Sequence, residues 1–140
     1  MTVKIAENQT ELEDAFSIRK TVFVEEQNVP VEEEIDQYEE DAIHFILYNN
    51  AVPVAAGRFR NVEGFGKVER ICVLKDARKL GAGKAIMNKI EAYAKENGFH
   101  KLKLNAQTHA IPFYARLGYE VVSEEFLDAG IPHKTMIKTI

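Results

Sequence analysis

The sequence predicts a mixed α/β (α+β) fold in one domain, residues 1–140: a mostly antiparallel sheet of six to seven strands, one pair of them parallel, flanked by about four helices. Three observations carry this expectation. Apolar and polar residues alternate in short stretches separated by turn chemistry, the pattern of strands with one buried face. Other stretches repeat their apolar residues every three or four positions, the pattern of helices. One of those helices lies between two strands, and a crossover helix leads its strands into parallel pairing.

In order, Val3 and Ile5 alternate with polar neighbours in a first strand ending near Glu7. A helix comes next, with Thr10 and Glu13 as a capping box and Leu12, Ala15, Phe16, Arg19, Val22 and Phe23 on one face. Val29-Pro30 ends it, since a residue before proline avoids the helical region. Glu32–Asp41 reads as a short helical or irregular segment anchored by Ile35 and Tyr38. Ala42–Tyr48 and Val52–Arg60 are strands joined at Asn49-Asn50-Ala51, where asparagine tolerates positive φ. A second turn at Asn61–Gly66 leads into the strand Val68–Leu74.

Ile86, Met87, Ile90 and Ala94 then mark the crossover helix, closed by Gly98, and Lys101–Asn105 is the strand expected parallel to Val68–Leu74. Ala110–Leu117 is a short helix, and Tyr119–Val122 and His133–Thr139 complete the strands.

Composition bounds the function. With 46% apolar and 29% charged residues, the chain has the make-up of an ordinary globular protein. No apolar run approaches the roughly 20 residues that span a bilayer, and MTVKIAENQTELED is no signal peptide, so a cytoplasmic location and no membrane partner are expected. The single cysteine, Cys72, excludes an internal disulfide and a multi-cysteine zinc site. No His or carboxylate pair has ligand spacing on one helix face, so no metal is expected.

The net charge of −4 is uneven: nine acidic residues and no Lys or Arg lie between Glu25 and Asp41, leaving the rest at +5. A basic body suits a small polyanionic cofactor. The acidic run is either a solvated face or a lip for a cationic substrate. Nucleic-acid binding is disfavoured, because no basic stripe is interleaved with aromatics.

The chemistry concentrates between Lys67 and Lys84. An apolar strand feeds Arg78-Lys79-Leu80-Gly81-Ala82-Gly83, with two glycines at the threshold of a helix. Unpaired N–H groups and roughly half a positive charge at such a terminus seat an anion. A P-loop is excluded: Arg78 stands at its first glycine and Ala85 where the magnesium-binding hydroxyl belongs. A dinucleotide fingerprint lacks its third glycine at Ile86 and would come after the first strand, not the fourth.

What fits is the Arg-x-x-Gly-x-Gly signature of the GNAT superfamily of acetyl-coenzyme A-dependent N-acyltransferases, which the chain resembles at Arg78–Gly83. Val73–Arg78 is similar to that family's passage from strand to cradle, with Lys75 replacing a frequent proline. Gln107–Tyr119 is similar to its N-x-x-A-x-x-x-Y-x-x-x-G-F segment, with Gln107 for asparagine and Tyr119 for phenylalanine. VFVEEQNVPVEEEID and FLDAGIPH resemble the short bacterial branch of YjcF and ElaA type.

The resemblance implies a GNAT-type sheet whose parallel pair, the strands Val68–Leu74 and Lys101–Asn105, splays apart, and transfer of an acetyl group from acetyl-coenzyme A to a primary amine by direct attack in a ternary complex. It implies that backbone groups of Ile71, Cys72 and Val73 hold the pantetheine arm, and that Arg78, Lys79, Leu80, Gly81, Ala82, Gly83 and Lys84 seat the pyrophosphate. Gln107 and Tyr114 complete the cofactor contacts, and Tyr114 is the candidate for stabilising the leaving thiolate. An alkylamine is protonated at pH 7, so a base must take its proton; Glu69, His109 and His133 are the candidates, ahead of His44. Cys72 is expected to be a buried hydrophobe, not a nucleophile. Glu26, Gln27, Glu33, Glu34 and Asp36 lie in the segment resembling the acceptor-side wall, implying a cationic small-molecule or peptide amine. A monomer or a homodimer is expected. The alternative is a non-catalytic acetyl-coenzyme A sensor or partner-binding module on the same fold.

Overall fold

The computed structural model describes residues 1–140. Its elements are β1 (Thr2–Ile5), α1 (Gln9–Arg19), a π-helical continuation (Lys20–Glu26), α2 (Val31–Glu34), β2 (Ile43–Asn49), β3 (Val52–Val62), β4 (Phe65–Val73), α3 (Ala82–Glu96), β5 (Lys101–Gln107), α4 (Ile111–Arg116), β6 (Glu120–Val121), β7 (Phe126–Asp128) and β8 (Ile131–Thr139). One sheet takes all eight strands, in the order β1-β2-β3-β4-β5-β8-β6 with β7 also on β8. Only β4 and β5 pair in parallel. The strand beyond the expected six to seven is β7, whose three residues are too few to show a period.

Three hairpins share one turn chemistry. Asn50-Ala51, Glu63-Gly64 and Ala129-Gly130 are two-residue loops with positive φ at both positions, the geometry that matches the twist of the flanking strands. The start of α1 differs from expectation. The cap is Asn8, not Thr10: its side chain accepts the Glu11 N–H at 2.9 Å, and the Glu11 carboxylate accepts the Glu7 N–H at 2.9 Å. Asparagine caps at least as well as threonine, and Glu11 stands at the same spacing from Asn8 as Glu13 from Thr10.

The sheet is covered on both faces. On one, Phe45, Leu47, Phe59, Val68 and Leu102 pack against Ile86, Met87, Ile90 and Ala94 of α3. On the other, Ile46, Ala56 and Cys72 pack against Ala15, Ile18 and Val22 of α1 and its continuation. Each large apolar side chain buried this way contributes about 1.5–3 kcal/mol.

Two irregularities of β4 open the sheet and set its edge. Glu69 pairs with Arg58 and Cys72 with Ala56, so Arg70 and Ile71 together oppose Gly57 in a β-bulge, with φ +57° at Arg70. The parallel pair also has only three rungs, Gly66–Leu102, Lys67–Lys103 and Val68–Leu104. Beyond them both strands run on, apart, and the sheet is open between them.

Candidate active site

That opening is a cavity of about 850 Å³, within the range of small-molecule and cofactor sites. It connects the two sides of the sheet. Gly83, Lys84, Phe113 and Tyr114 line it on the α3 side; Glu69, Gln107 and His133 line it on the α1 side, closed by the π-helical segment and α2.

On the α3 side lies the cradle. Gly81 caps α3 in the left-handed conformation, φ +78°, and no side chain caps the helix, so its leading N–H groups stay available. A Cβ on Gly83 would sit 3.2 Å from the Phe113 ring, so this glycine admits α4 close to α3. Gly81, Gly83 and Lys84 line the cavity, whereas Lys79 and the half-exposed Leu80 stand outside it and the Ala82 methyl is buried in the core. Arg78 is not poised over the helix terminus. Its Nε donates to the carbonyl of Val73 at 3.0 Å, and its Nη2 lies 2.6 Å from the Glu26 carboxylate.

Tyr114 is buried beside Phe113 and Tyr119 in edge-to-face contacts and reaches the cavity. Burial pushes its phenol well above the usual value of about 10, so it stays protonated. Its hydroxyl has no protein partner and is not sealed, since the only sealed and unpartnered side-chain polar atom is Nδ1 of His44.

The candidate bases separate on geometry. His133 is buried on β8 opposite Gln107, stacked on Phe126. Its Nδ1 lies 2.6 Å from the Ile131 carbonyl, which only accepts, so Nδ1 carries the proton and Nε2 of the neutral ring keeps its lone pair. His109 is exposed, with Nε2 at 2.7 Å from the Gln107 side-chain oxygen. Glu69 lines the cavity but is held by Arg58 at 3.0 Å and Arg60 at 2.7 Å. Burial works to raise its carboxyl, and the Arg60 hydrogen bond with the charges of Arg58, Arg60 and Lys67 more than reverses this, holding it below the usual range. His44 lies outside the cavity, under α1, with Nε2–H donating to the Glu39 carbonyl.

Ile71, Cys72 and Val73 edge the opening on β4. Cys72 points to the α1 side among apolar residues, and burial pushes its thiol up to about 12, which removes it as a nucleophile. Gln107 exchanges hydrogen bonds with Gln27 at 2.8 and 3.4 Å, tying the end of β5 to the end of the π-helical segment and occupying its amide there.

The acidic run is neither wholly a solvated face nor wholly an open lip, because much of it pairs with arginines from the sheet and α1. Arg19 bonds Glu34 at 2.8 Å and Glu39 at 2.6 Å; Arg58 bonds Asp36 at 2.7 Å; Arg70 reaches Glu34 and Asp36 at 3.1 Å. Burial pushes the Glu34 carboxyl up despite Arg70 and Arg19; at Asp36 burial pushes the same way, but the hydrogen bonds from Arg58 and the Tyr38 N–H and the charges of Arg58 and Arg70 together outweigh it and keep the carboxyl low. Glu34 and Asp36, expected at the substrate, are thus committed to cations. Glu33 makes no ion pair, and neither do Glu32 and Asp128, which also line the cavity and escape sequence reasoning. One signal was present for the network: Arg19 in the apolar stripe of α1. No cluster of His, Cys and carboxylates is grouped to hold a metal ion.

A parallel pair splayed over an uncapped, glycine-bearing helix N-terminus, beside a bulged strand, defines an acetyltransferase fold of the GNAT type. The chain belongs to the GNAT acetyltransferase family, whose domain model matches residues 7–140. It is 53% identical over 139 residues to the uncharacterized N-acetyltransferase YjcF of Bacillus subtilis, covering 99% of each chain. The crystal structure of Escherichia coli ElaA superposes with a TM-score of 0.89 at 25% identity, covering 99% of both chains. An aminoglycoside 6'-N-acetyltransferase complexed with coenzyme A superposes at 0.79 with 16% identity, 99% of this chain and 97% of that one covered, a likeness of fold alone.

Proposed function

We propose that this protein is an N-acetyltransferase that moves an acetyl group from acetyl-coenzyme A to a primary amine, which attacks directly in a ternary complex. The observation that carries this reading is the cavity through the splayed sheet, with an anion cradle on one side and His133 and Tyr114 at its walls. The residues fit the coenzyme: Gly81 offers a backbone turn with nothing within 4 Å of where a Cβ would be, and the α3 N–H groups and Lys84 suit a pyrophosphate.

Bound acetyl-coenzyme A supplies the acetyl thioester. The edge of β4 from Ile71 to Val73 aligns the pantetheine arm, and an N–H at the bulge polarises the acetyl carbonyl, a contact worth about 3 kcal/mol when preorganised. His133 Nε2 takes the proton of the amine, by reason of its free lone pair and its buried place on the cavity wall, while Glu69 is held by two arginines and His109 stands exposed to solvent. Tyr114 donates a hydrogen bond to the departing thiolate; its raised pKa, far above the roughly 8.5 of a thiol, makes it a holder of that bond more than a giver of its proton. Glu33, with Glu32 and Asp128, presents uncommitted carboxylates to a cationic acceptor.

Calorimetry with acetyl-coenzyme A, and then thiol release against a panel of amines and peptides, tests this. Saturable binding with amine-dependent thiol release is expected. No binding overturns the reading, and binding without release from any amine replaces it with the non-catalytic sensor.

A further inference from the structure

Among the wall carboxylates, Glu26 stands apart. Glu34, Asp36 and Glu69 are each held by two arginines in the interior. Glu26 has one partner, Arg78, and both side chains are open to solvent, 33% and 43% exposed. The two belong to opposite sides of the cavity: Glu26 ends the π-helical segment of the acceptor-side wall, and Arg78 begins the cradle loop. Arg78 is also the guanidinium nearest in sequence to the α3 terminus, where coenzyme phosphates are proposed to sit, so two anions compete for it.

We propose that the Arg78–Glu26 ion pair is a latch across the cavity. The coenzyme's pyrophosphate opens it by taking the guanidinium, and the released Glu26 carboxylate then receives the amine's cation. This deepens the acetyltransferase reading and rests on it. Chemistry favours the exchange: a doubly charged pyrophosphate offers paired oxygens to the guanidinium fork, with the helix terminus behind it, against a single exposed carboxylate. The Nε bond to the Val73 carbonyl anchors the arginine at the end of β4, leaving the Nη groups to change partner. Because the latch links both sites, each ligand raises the affinity for the other by the same factor.

The test uses the intact protein, coenzyme A and 1,4-diaminobutane as the cationic probe, read by calorimetry. Glu26→Gln removes the competitor, so coenzyme A binds about two- to fivefold tighter, the range of an exposed ion pair. The same change in an Arg78→Gln background has no effect, and Glu25→Gln, an exposed neighbour outside the cavity, does less than Glu26→Gln. Saturating diaminobutane tightens coenzyme A binding to the wild type and leaves Glu26→Gln unmoved. Unchanged or weaker binding by Glu26→Gln overturns the latch, as does an equal effect from Glu25→Gln, which would mark a bulk charge effect. A wild type indifferent to the diamine overturns the second half, the hand-over of Glu26 to the amine. A wild type that binds no coenzyme A overturns the acetyltransferase reading itself and the latch with it.

Discussion

Nδ1 of His133 lies 2.6 Å from the carbonyl oxygen of Ile131, two residues back along the same strand, and this contact fixes which nitrogen of the ring is free. Replacement of His133 by alanine is expected to lower kcat/KM by about 10²–10³-fold. Coenzyme A affinity measured by calorimetry stays the same in the variant, so the loss lies in turnover and not in cofactor binding.

Tyr114→Phe keeps the ring contacts with Phe113 and Tyr119 and removes only the hydroxyl. Turnover is expected to fall about 10²-fold with coenzyme affinity nearly unchanged, a split that steady-state kinetics and calorimetry read together. Loss of affinity with normal turnover contradicts the role given to the hydroxyl.

Arg19 is almost fully buried and neutralises both Glu34 and Glu39. Arg19→Met leaves those carboxylates without this cation, and stability in urea unfolding is expected to drop by about 3–5 kcal/mol.

His44 adds an acid sensitivity that carboxylates do not explain. Burial lowers its pKa below the ordinary value of about 6.5, with the charges of Arg19 and Arg58 acting the same way against the Glu39 contacts. Below that pH the unfolded chain binds a proton that the folded protein refuses, so stability falls as pH drops through about 6.5 toward the depressed folded value. The slope is at most about 1.4 kcal/mol per pH unit. Denaturant melts between pH 7 and 5 are expected to show it in the wild type and to lose it in His44→Gln.

Ala51 adopts φ +67° in the β2–β3 turn, and it is a hairpin turn without glycine. Ala51→Gly removes the cost of a left-handed alanine and is expected to stabilise the fold by about 0.5–1 kcal/mol in thermal unfolding.

Much of this architecture is legible in the residues. Alternation and turn chemistry locate seven strands, and the period of Ile86, Met87, Ile90 and Ala94 locates the crossover helix that makes β4 and β5 parallel. The start of α3 with its glycines was legible for a local reason: a helix terminus and its glycines are neighbours in sequence. The charged wall was not, because Arg19 meets Glu34 across fifteen residues and Arg70 meets it across thirty-six, pairings that only the fold creates. Asn8 and Thr10 are two competent caps two residues apart, and local chemistry does not rank them. The same holds for His133: its place on β8 was readable, whereas its free nitrogen depends on the carbonyl of Ile131 and the turn of the β7–β8 hairpin.

The extra residue at Arg70 works on β4 as an inserted letter works on a reading frame. Upstream, Val68 faces α3; downstream, Ile71 and Val73 face α3, and Cys72 takes the opposite side. Glu69 and Arg70, adjacent in sequence, consequently both pair on the α1 side, Glu69 with Arg58 and Arg60 and Arg70 with Glu34 and Asp36, an outcome closed to an unbroken strand. Deleting Arg70 would remove the bulge and leave Ile71 and Val73 toward α3 and Cys72 toward α1, whereas pulling the bulge flat with every residue kept would carry Cys72 toward α3 and Ile71 and Val73 toward α1. The bulge therefore fits an added charged residue into β4 while the core-facing pattern on either side of it stays in place.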